Sequence, residues 1–117
     1  MTLVFGIGGD LSPKQVCRQD GQALMDVVAA HVARARTFDP IPATYPVVIL
    51  QGNLKLTITN DKNNPNFDYG TALVAVHGYR RWMQDKSTFQ TQAVRIFEGE
   101  EYKGYLYISR TSGLNIA

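Results

Sequence analysis

The segment YGTALVAVHGYRRWMQD, residues 69–85, constrains the fold most strongly because it is compatible with two different structures. An α-helix would place Gly78 in its interior, at a cost of about 1 kcal/mol relative to alanine. It would also restrict the β-branched side chains of Val74 and Val76. A β-strand accommodates β-branched and aromatic residues without these costs. The composition of the segment therefore favours a strand over residues 71–83.

The rest of the C-terminal third has a similar composition. The stretches STFQTQAVRIFEG and YKGYLYISRTSG are rich in β-branched and aromatic residues, and QDKS and EGEE supply turn residues between them. This pattern predicts an antiparallel meander of three strands at residues 71–83, 88–98 and 102–111.

Two further strands are predicted upstream. The run VVIL is typical of a buried strand, and LKLTIT at residues 54–59 alternates between apolar and polar side chains. The intervening QGN fits either a tight turn or a bulge within one long strand, and both alternatives stay open. A short strand at residues 3–7 is compatible with the sequence, and residues 1–10 are otherwise expected to be flexible.

The N-terminal third predicts one long amphipathic helix over about residues 13–36. Ser12 followed by Pro13 is a typical helix start, and the three prolines of FDPIPATYP exclude a helix beyond it. Gly21 indicates either a break in the helix or a close packing contact. The predicted apolar stripe consists of Leu24, Val27, Val28, His31 and Ala35.

These elements predict a single α+β domain spanning residues 1–117, in which one long N-terminal helix packs on a curved antiparallel sheet of four to five strands. The alternative keeps residues 71–83 helical and gives the order β-α-β-β-α-β of a ferredoxin-like sandwich. Gly78 is the residue that discriminates between the two architectures.

The closing run ALVAVHGYRRW, followed by FQTQAVRIFEGEEYKGYLYISRTS, carries a resemblance to known folds. Its rhythm and the element order resemble the cystatin-like and nuclear-transport-factor-2-like group. The resemblance covers roughly half of the chain. It implies a long helix held in a strongly bent antiparallel sheet, and it carries no catalytic residue because no motif position matches.

The composition limits which cellular compartment and which binding partners are expected. Cys17 is the only cysteine of the 117 residues, so neither an internal disulfide nor a zinc site of several thiolates can form. A reducing, cytoplasmic location fits best, and the apolar N-terminal run is too short to span a membrane. No cofactor and no metal are predicted. The net charge of +2 argues against a nucleic-acid partner. Arg80, Arg81 and Trp82 nevertheless adjoin Tyr79, and this mixture of cations and rings keeps single-stranded nucleic-acid binding as an alternative function.

A polar set on the predicted sheet is the candidate ligand-binding site. On a strand, His77, Tyr79 and Arg81 would share one face and could line a cavity. The full candidate set is His77, Tyr79, Arg81, Arg95, Tyr105 and Tyr107. With Asp26, Asp39 or Asp68 brought close by the fold, His77 and Tyr79 could alternatively serve a small isomerase or hydrolase. No catalytic motif supports that alternative.

The same predicted sheet is unusually aromatic, and this feature carries the leading functional hypothesis. Tyrosine is enriched at interfaces because it buries a large area while keeping a polar tip. A single helix would leave one sheet face uncovered, so we expect a homo-oligomer, dimeric or higher, that binds a small organic ligand or a protein. The candidate interface residues are Trp82, Phe97, Tyr102, Tyr105 and Tyr107.

Overall fold

The computed structural model describes residues 1–5, 17–42, 44–60, 64, 66–85 and 92–110. These residues form two helices and five strands in one antiparallel sheet. In chain order the elements are β1 (Thr2–Phe5), α1 (Arg18–Arg34), β2 (Val47–Gln51), β3 (Leu54–Thr59), α2 (Tyr69–Asp85), β4 (Gln92–Glu98) and β5 (Glu101–Arg110).

The sheet has the strand order β1-β4-β5-β3-β2, and every neighbouring pair is antiparallel. Two hairpins, β2–β3 and β4–β5, are joined side by side through β3 and β5. Strand β1 pairs with β4 at one edge, and β2 forms the other edge. Gly52, with a φ of 60°, lies in the two-residue turn between β2 and β3, so the QGN stretch is a tight turn.

Helix α1 buries one stripe against the sheet. Its buried side chains include Leu24, Met25, Val28 and Val32, which recur at helical spacing. The predicted stripe was therefore partly wrong, because His31 is exposed and the buried stripe is rotated toward Met25. Gly21 is buried within the helix, and the helix is not broken there. The predicted first turn lies outside the described residues.

Residues 69–85 form a helix, so the strand predicted over residues 71–83 is wrong. Asp68 caps this helix, because its Oδ1 accepts a hydrogen bond of 2.8 Å from the backbone N–H of Thr71. Gly78 is tolerated because it lies against Leu3 of β1, where an added Cβ would stand 3.0 Å from the Leu3 Cδ1 atom. The buried side chains of α2 repeat with helical period: Ala72, Ala75, Val76, Tyr79 and Met83.

Both helices cover the same face of the sheet. Helix α1 packs on β2 and β3, whereas α2 packs beside α1 and on β1. One side of every strand points into the resulting core, and this arrangement buries Leu54, Leu56 and Ile58 of β3 together with Leu106 and Ile108 of β5. An ion pair of 2.5 Å between Asp26 and Arg80 links the exposed sides of the two helices.

The α+β class and the five-stranded antiparallel sheet are confirmed. The first six elements follow the order of the ferredoxin-like alternative, and β5 is an additional strand that lies between β4 and β3. The cystatin-like and transport-factor-like resemblance stays a prediction, although the first of the three strands on which it depended is a helix. No helix among the described residues is long and apolar enough to cross a membrane.

Candidate functional site

The sheet face opposite the two helices is the candidate site, and we call it the open face. Side chains alternate along each strand, so residues next to the buried ones point toward this face. No described helix lies over it. The open face comprises Thr2, Val4, Val48, Leu50, Lys55, Thr57, Thr59, Ala93, Arg95, Phe97, Tyr102, Tyr105, Tyr107 and Ser109.

Two tyrosines of β5 occupy the middle of the open face. Tyr105 lies directly opposite Arg95 on β4 and Thr59 on β3. Tyr107 lies opposite Ala93 and Thr57 in the same manner. Both tyrosines are half-buried, and most of their lateral neighbours are short side chains. The two phenol rings therefore form a platform on which a planar group could stack.

The charges on the open face have a single sign. Arg95 lies beside Tyr105, and Lys55 lies diagonally from Tyr107, because its strand neighbour Thr57 is the direct partner of that tyrosine. None of the open-face residues is acidic. The tyrosine platform is thus flanked by two cations, an arrangement that favours an anionic or electron-rich partner.

The end of the β4–β5 hairpin is built differently. A β-bulge lies where Phe97 pairs with Tyr102, and their ring centroids are 5.3 Å apart with an interplanar angle of 42°. The backbone carbonyl oxygen of Tyr102 also accepts a hydrogen bond of 3.2 Å from the side chain of Asn64. This aromatic pair is therefore held against the loop that precedes α2.

Three asparagines fasten that loop. Asn60 is buried, donates to the carbonyl oxygens of Ile41 and Asn64 at 2.9 and 2.8 Å, and accepts from the Asn64 backbone N–H at 2.9 Å. Asn64 in turn donates from its side chain to Glu101 at 2.9 Å, and Asn66 does so at 3.4 Å. The stretch NDKNNPNFDYG is rich in Asn, Asp, Pro and Gly, so its composition predicts a loop without indicating which side chains fasten it.

Glu101 is the acidic centre of this cluster. Hydrogen bonds from Asn64, from Lys103 and from Asn66 lower the pKa of Glu101 below its ordinary value of 4.5. The ammonium group of Lys103 lies 3.2 Å from Glu101 and donates to the Asn66 carbonyl oxygen at 3.3 Å. The described members of the cluster satisfy one another, so the cluster fastens the loop to the hairpin.

The predicted ligand-binding set is divided between two places. Arg95, Tyr105 and Tyr107 come together on the open face, whereas His77, Tyr79 and Arg81 belong to α2 on the other side of the sheet. The shared face predicted for these last three is wrong because the segment is helical. Their roles in binding stay predictions.

Within α2 the candidate residues point in different directions. His77 and Arg81 are exposed and lie one helical turn apart, whereas Tyr79 is fully buried in the core. Trp82 is partly buried and packs against the core cluster, so it does not belong to the aromatic sheet. The remaining predicted interface residues, Phe97, Tyr102, Tyr105 and Tyr107, do lie on the open face.

The described contacts of the three aspartates considered for an enzyme do not involve His77 or Tyr79. Asp26 pairs with Arg80, Asp68 caps α2, and the carbonyl oxygen of Asp39 accepts from the Tyr69 backbone N–H at 3.0 Å. Residues 1–5, 17–42, 44–60, 64, 66–85 and 92–110 contain no cluster of three or more His, Cys, Asp or Glu side chains suited to a metal ion.

Comparison of the chain with protein-family models, with curated protein sequences and with solved structures finds no significant match.

Proposed function

We propose that the chain is a small non-catalytic binding module that forms homo-oligomers through its sheet and binds its ligand on the open face. One observation carries this proposal: Tyr105 and Tyr107 stand side by side between Arg95 and Lys55, and no described helix covers them. The ligand class that this surface suits is a small organic molecule, or a protein segment, with a planar group and negative charge.

The chemistry of the platform supports this ligand class. A tyrosine ring offers a flat apolar surface at a low entropic cost, and its hydroxyl can donate or accept a hydrogen bond. Arg95 supplies a planar guanidinium that can bind a carboxylate or phosphate with two parallel hydrogen bonds. Thr57 and Thr59 add hydroxyl groups beside the rings. Aromatic stacking and anion binding are thus available within one patch.

The anionic aromatic dye 8-anilinonaphthalene-1-sulfonate is a suitable probe of the platform. We expect the folded protein to bind it with a rise in dye fluorescence, and the double variant Y105S/Y107S to bind it about tenfold more weakly. The matched control is Y45S, because Tyr45 is an exposed tyrosine outside the strands. Equal dye binding by all three proteins would exclude the open face as the binding site.

The homo-oligomeric half of the proposal has its own test. Light scattering coupled to size-exclusion chromatography should give a mass of at least about twice the 13.0 kDa of one chain at tens of micromolar protein. A strict monomer over that range would overturn this half. A cytoplasmic location is part of the same proposal, since Cys17 is free and exposed and would stay reduced there.

Single-stranded nucleic acid is the second candidate ligand, and the open face gives it a specific basis. Stacking of bases on aromatic rings combined with cations beside the backbone is the usual mode of such binding. The run from Tyr79 to Trp82 interleaves aromatic and basic residues in the sequence. It does not support this candidate, because Tyr79 is buried and Arg80 pairs with Asp26.

A fluorescently labelled oligonucleotide tests this candidate. Binding that weakens steeply between low and moderate salt, and that is lost in an Arg95→Ala/Lys55→Ala variant, would support it. Binding that does not change with salt would exclude it.

A further inference from the structure

We propose that the partner in the homo-oligomer is a second copy of this chain joined edge to edge through β2, so that two five-stranded sheets form one continuous antiparallel sheet. The two-fold axis passes perpendicular to the sheet beside Ile49. This inference rests on the proposed homo-oligomer and specifies which part of the sheet carries it. The open faces of both copies then lie on the same side and remain accessible.

The backbone of β2 offers hydrogen-bonding groups at this edge. Gln51 and Leu54 flank the two-residue turn and therefore form a hydrogen-bonded pair. Because such pairs alternate, Val47 and Ile49 also bond to β3, whereas the N–H and C=O groups of Val48 and Leu50 point away from the sheet. No described strand lies beyond β2 to receive them.

One register uses all of these groups. With the axis at Ile49, Val48 faces Leu50 of the second copy and Leu50 faces Val48 of the second copy, which gives two hydrogen-bonded pairs and four hydrogen bonds. A register that pairs Val48 with itself would bring Leu50 opposite Pro46, which has no N–H to donate. The strand is therefore self-complementary about Ile49.

The side chains of β2 do not protect this edge. Val48 and Leu50 are 47% and 61% exposed, and the strand VVILQ contains neither a charged residue nor proline. Natural proteins usually block an open edge with charges, proline or a bulge, because an unprotected edge pairs with another strand. In the proposed dimer, the side chains of Val48 and Leu50 meet their counterparts across the junction and bury apolar surface.

Helix α1 provides an independent, self-complementary surface above the same edge. Asp20, Val27 and Arg34 are seven residues apart and lie on one side of the helix. Ala29, which packs against the core, lies about 200° around the cylinder from Val27, so this stripe lies on the opposite side of the helix from Ala29. A two-fold axis beside Val27 would place Asp20 opposite Arg34 of the second copy, and Arg34 opposite Asp20.

Helix α1 packs on β2 and β3, so it lies over the part of the sheet that ends at the β2 edge. In the proposed dimer the two copies of α1 face each other across the two-fold axis. Val27, which is 37% exposed, then becomes buried between them.

Two exposed valines give a matched test of the edge. Val48→Lys places a charge on the β2 edge and should weaken dimerisation by at least about tenfold, because a lysine there must be desolvated when strands pair. Val74→Lys changes a valine of similar exposure, 57%, on α2 and should leave the dimer intact. Circular dichroism and thermal unfolding would verify that both variants are folded, and light scattering would report their masses.

A cross-linking experiment tests the helix contact separately. In a Cys17→Ser background, Val27→Cys should form a disulfide-linked dimer under mild oxidation, because the proposed arrangement requires the two copies of residue 27 to lie within the short Cα–Cα distance that a disulfide spans. The control Val74→Cys should remain a monomer on a non-reducing gel. Cross-linking at residue 74 but not at residue 27 would overturn the arrangement.

The outcomes separate this inference from the proposed function. A dimeric wild type that becomes monomeric as Val48→Lys supports both. A dimer that survives Val48→Lys overturns the β2 edge but leaves the homo-oligomer standing, and dissociation by Y105S/Y107S would then place the contact on the open face. A monomeric wild type overturns the homo-oligomer together with the edge contact, whereas dye binding to the open face is a separate measurement.

Discussion

The ring of Phe67 lies directly against Gly104, so closely that no side chain can be added at position 104. A Cβ atom there would stand 2.6 Å from the Phe67 Cε2 atom and would also overlap the carbonyl oxygen of Thr59. Since backbone cannot move aside as a flexible side chain can, we expect Gly104→Ala to lower the free energy of unfolding by about 3 kcal/mol. Urea denaturation followed by circular dichroism measures this loss.

The control for this prediction is Gly52→Ala, which changes a glycine that has nothing within 4 Å of the added Cβ. Its φ of 60° makes alanine costly by about 1 kcal/mol through the backbone alone. Should the two variants lose the same stability, the close approach of Phe67 to β5 would not be the reason that position 104 requires glycine.

Asn60 should be the most sensitive polar residue of the chain. It is only 3% exposed, and its side chain makes three hydrogen bonds that hold the loop before α2. Asn60→Ala leaves these partners without their donor or acceptor and should lower the free energy of unfolding by about 3 kcal/mol. Asn66→Ala alters an exposed side chain of the same loop and should cost no more than about 0.5 kcal/mol. Equal losses would contradict the fastening role of Asn60.

The hydrogen bonds to Glu101 predict a pH dependence of stability. Since the pKa of Glu101 is lower in the folded protein than its ordinary value of 4.5, the unfolded chain binds more protons in that range. The stabilisation by Glu101 is therefore present above pH 4.5 and is lost as the pH falls through the lowered pKa.

The variant Glu101→Gln provides the measurement. The difference in unfolding free energy between the wild type and Glu101→Gln should shrink as the pH falls below 4.5. Glu98→Gln removes a charge from the same hairpin without touching these hydrogen bonds, and it serves as the control. A difference that stays constant with pH would show that the carboxylate of Glu101 does not stabilise the loop.

The capping of α2 by Asp68 gives a further prediction. Asp68→Ala removes the acceptor of the Thr71 N–H and should lower the free energy of unfolding by about 1 kcal/mol. Asp68→Asn keeps a capping oxygen and should lose less than half of that amount. If the two variants were equally destabilised, the negative charge, rather than the cap, would be the stabilising feature.

The strands were easier to predict than the second helix. Strand β3 agrees with the prediction at both ends, because LKLTIT alternates strictly between core and open face. The strand predicted for residues 71–83 is wrong because intrinsic propensity counts Val74, Val76 and Gly78 against a helix regardless of how they pack. The packing of Gly78 against Leu3 offsets that cost, and this contact between distant parts of the chain cannot be seen in a local pattern.

Only the part of the candidate site that depends on local sequence could be predicted, because contacts between distant parts of the chain leave no local pattern. Tyr105 and Tyr107 fall on one face through simple alternation along β5, so their proximity followed from the sequence. Their position beside Arg95 and Lys55 depends on the order of strands in the sheet, which local sequence does not specify. The asparagine cluster cannot be predicted from a local pattern because Glu101 lies 37 positions along the chain from its hydrogen-bond partner Asn64.

The pairing of β1 with β4 bears on how the chain folds during its synthesis. Thr2 is opposite Phe97, so β1 leaves the ribosome well before the strand with which it pairs. Contacts between such distant positions slow folding and leave apolar surface unprotected in the meantime. We therefore expect nascent chains that end before β4 to be substrates for chaperones.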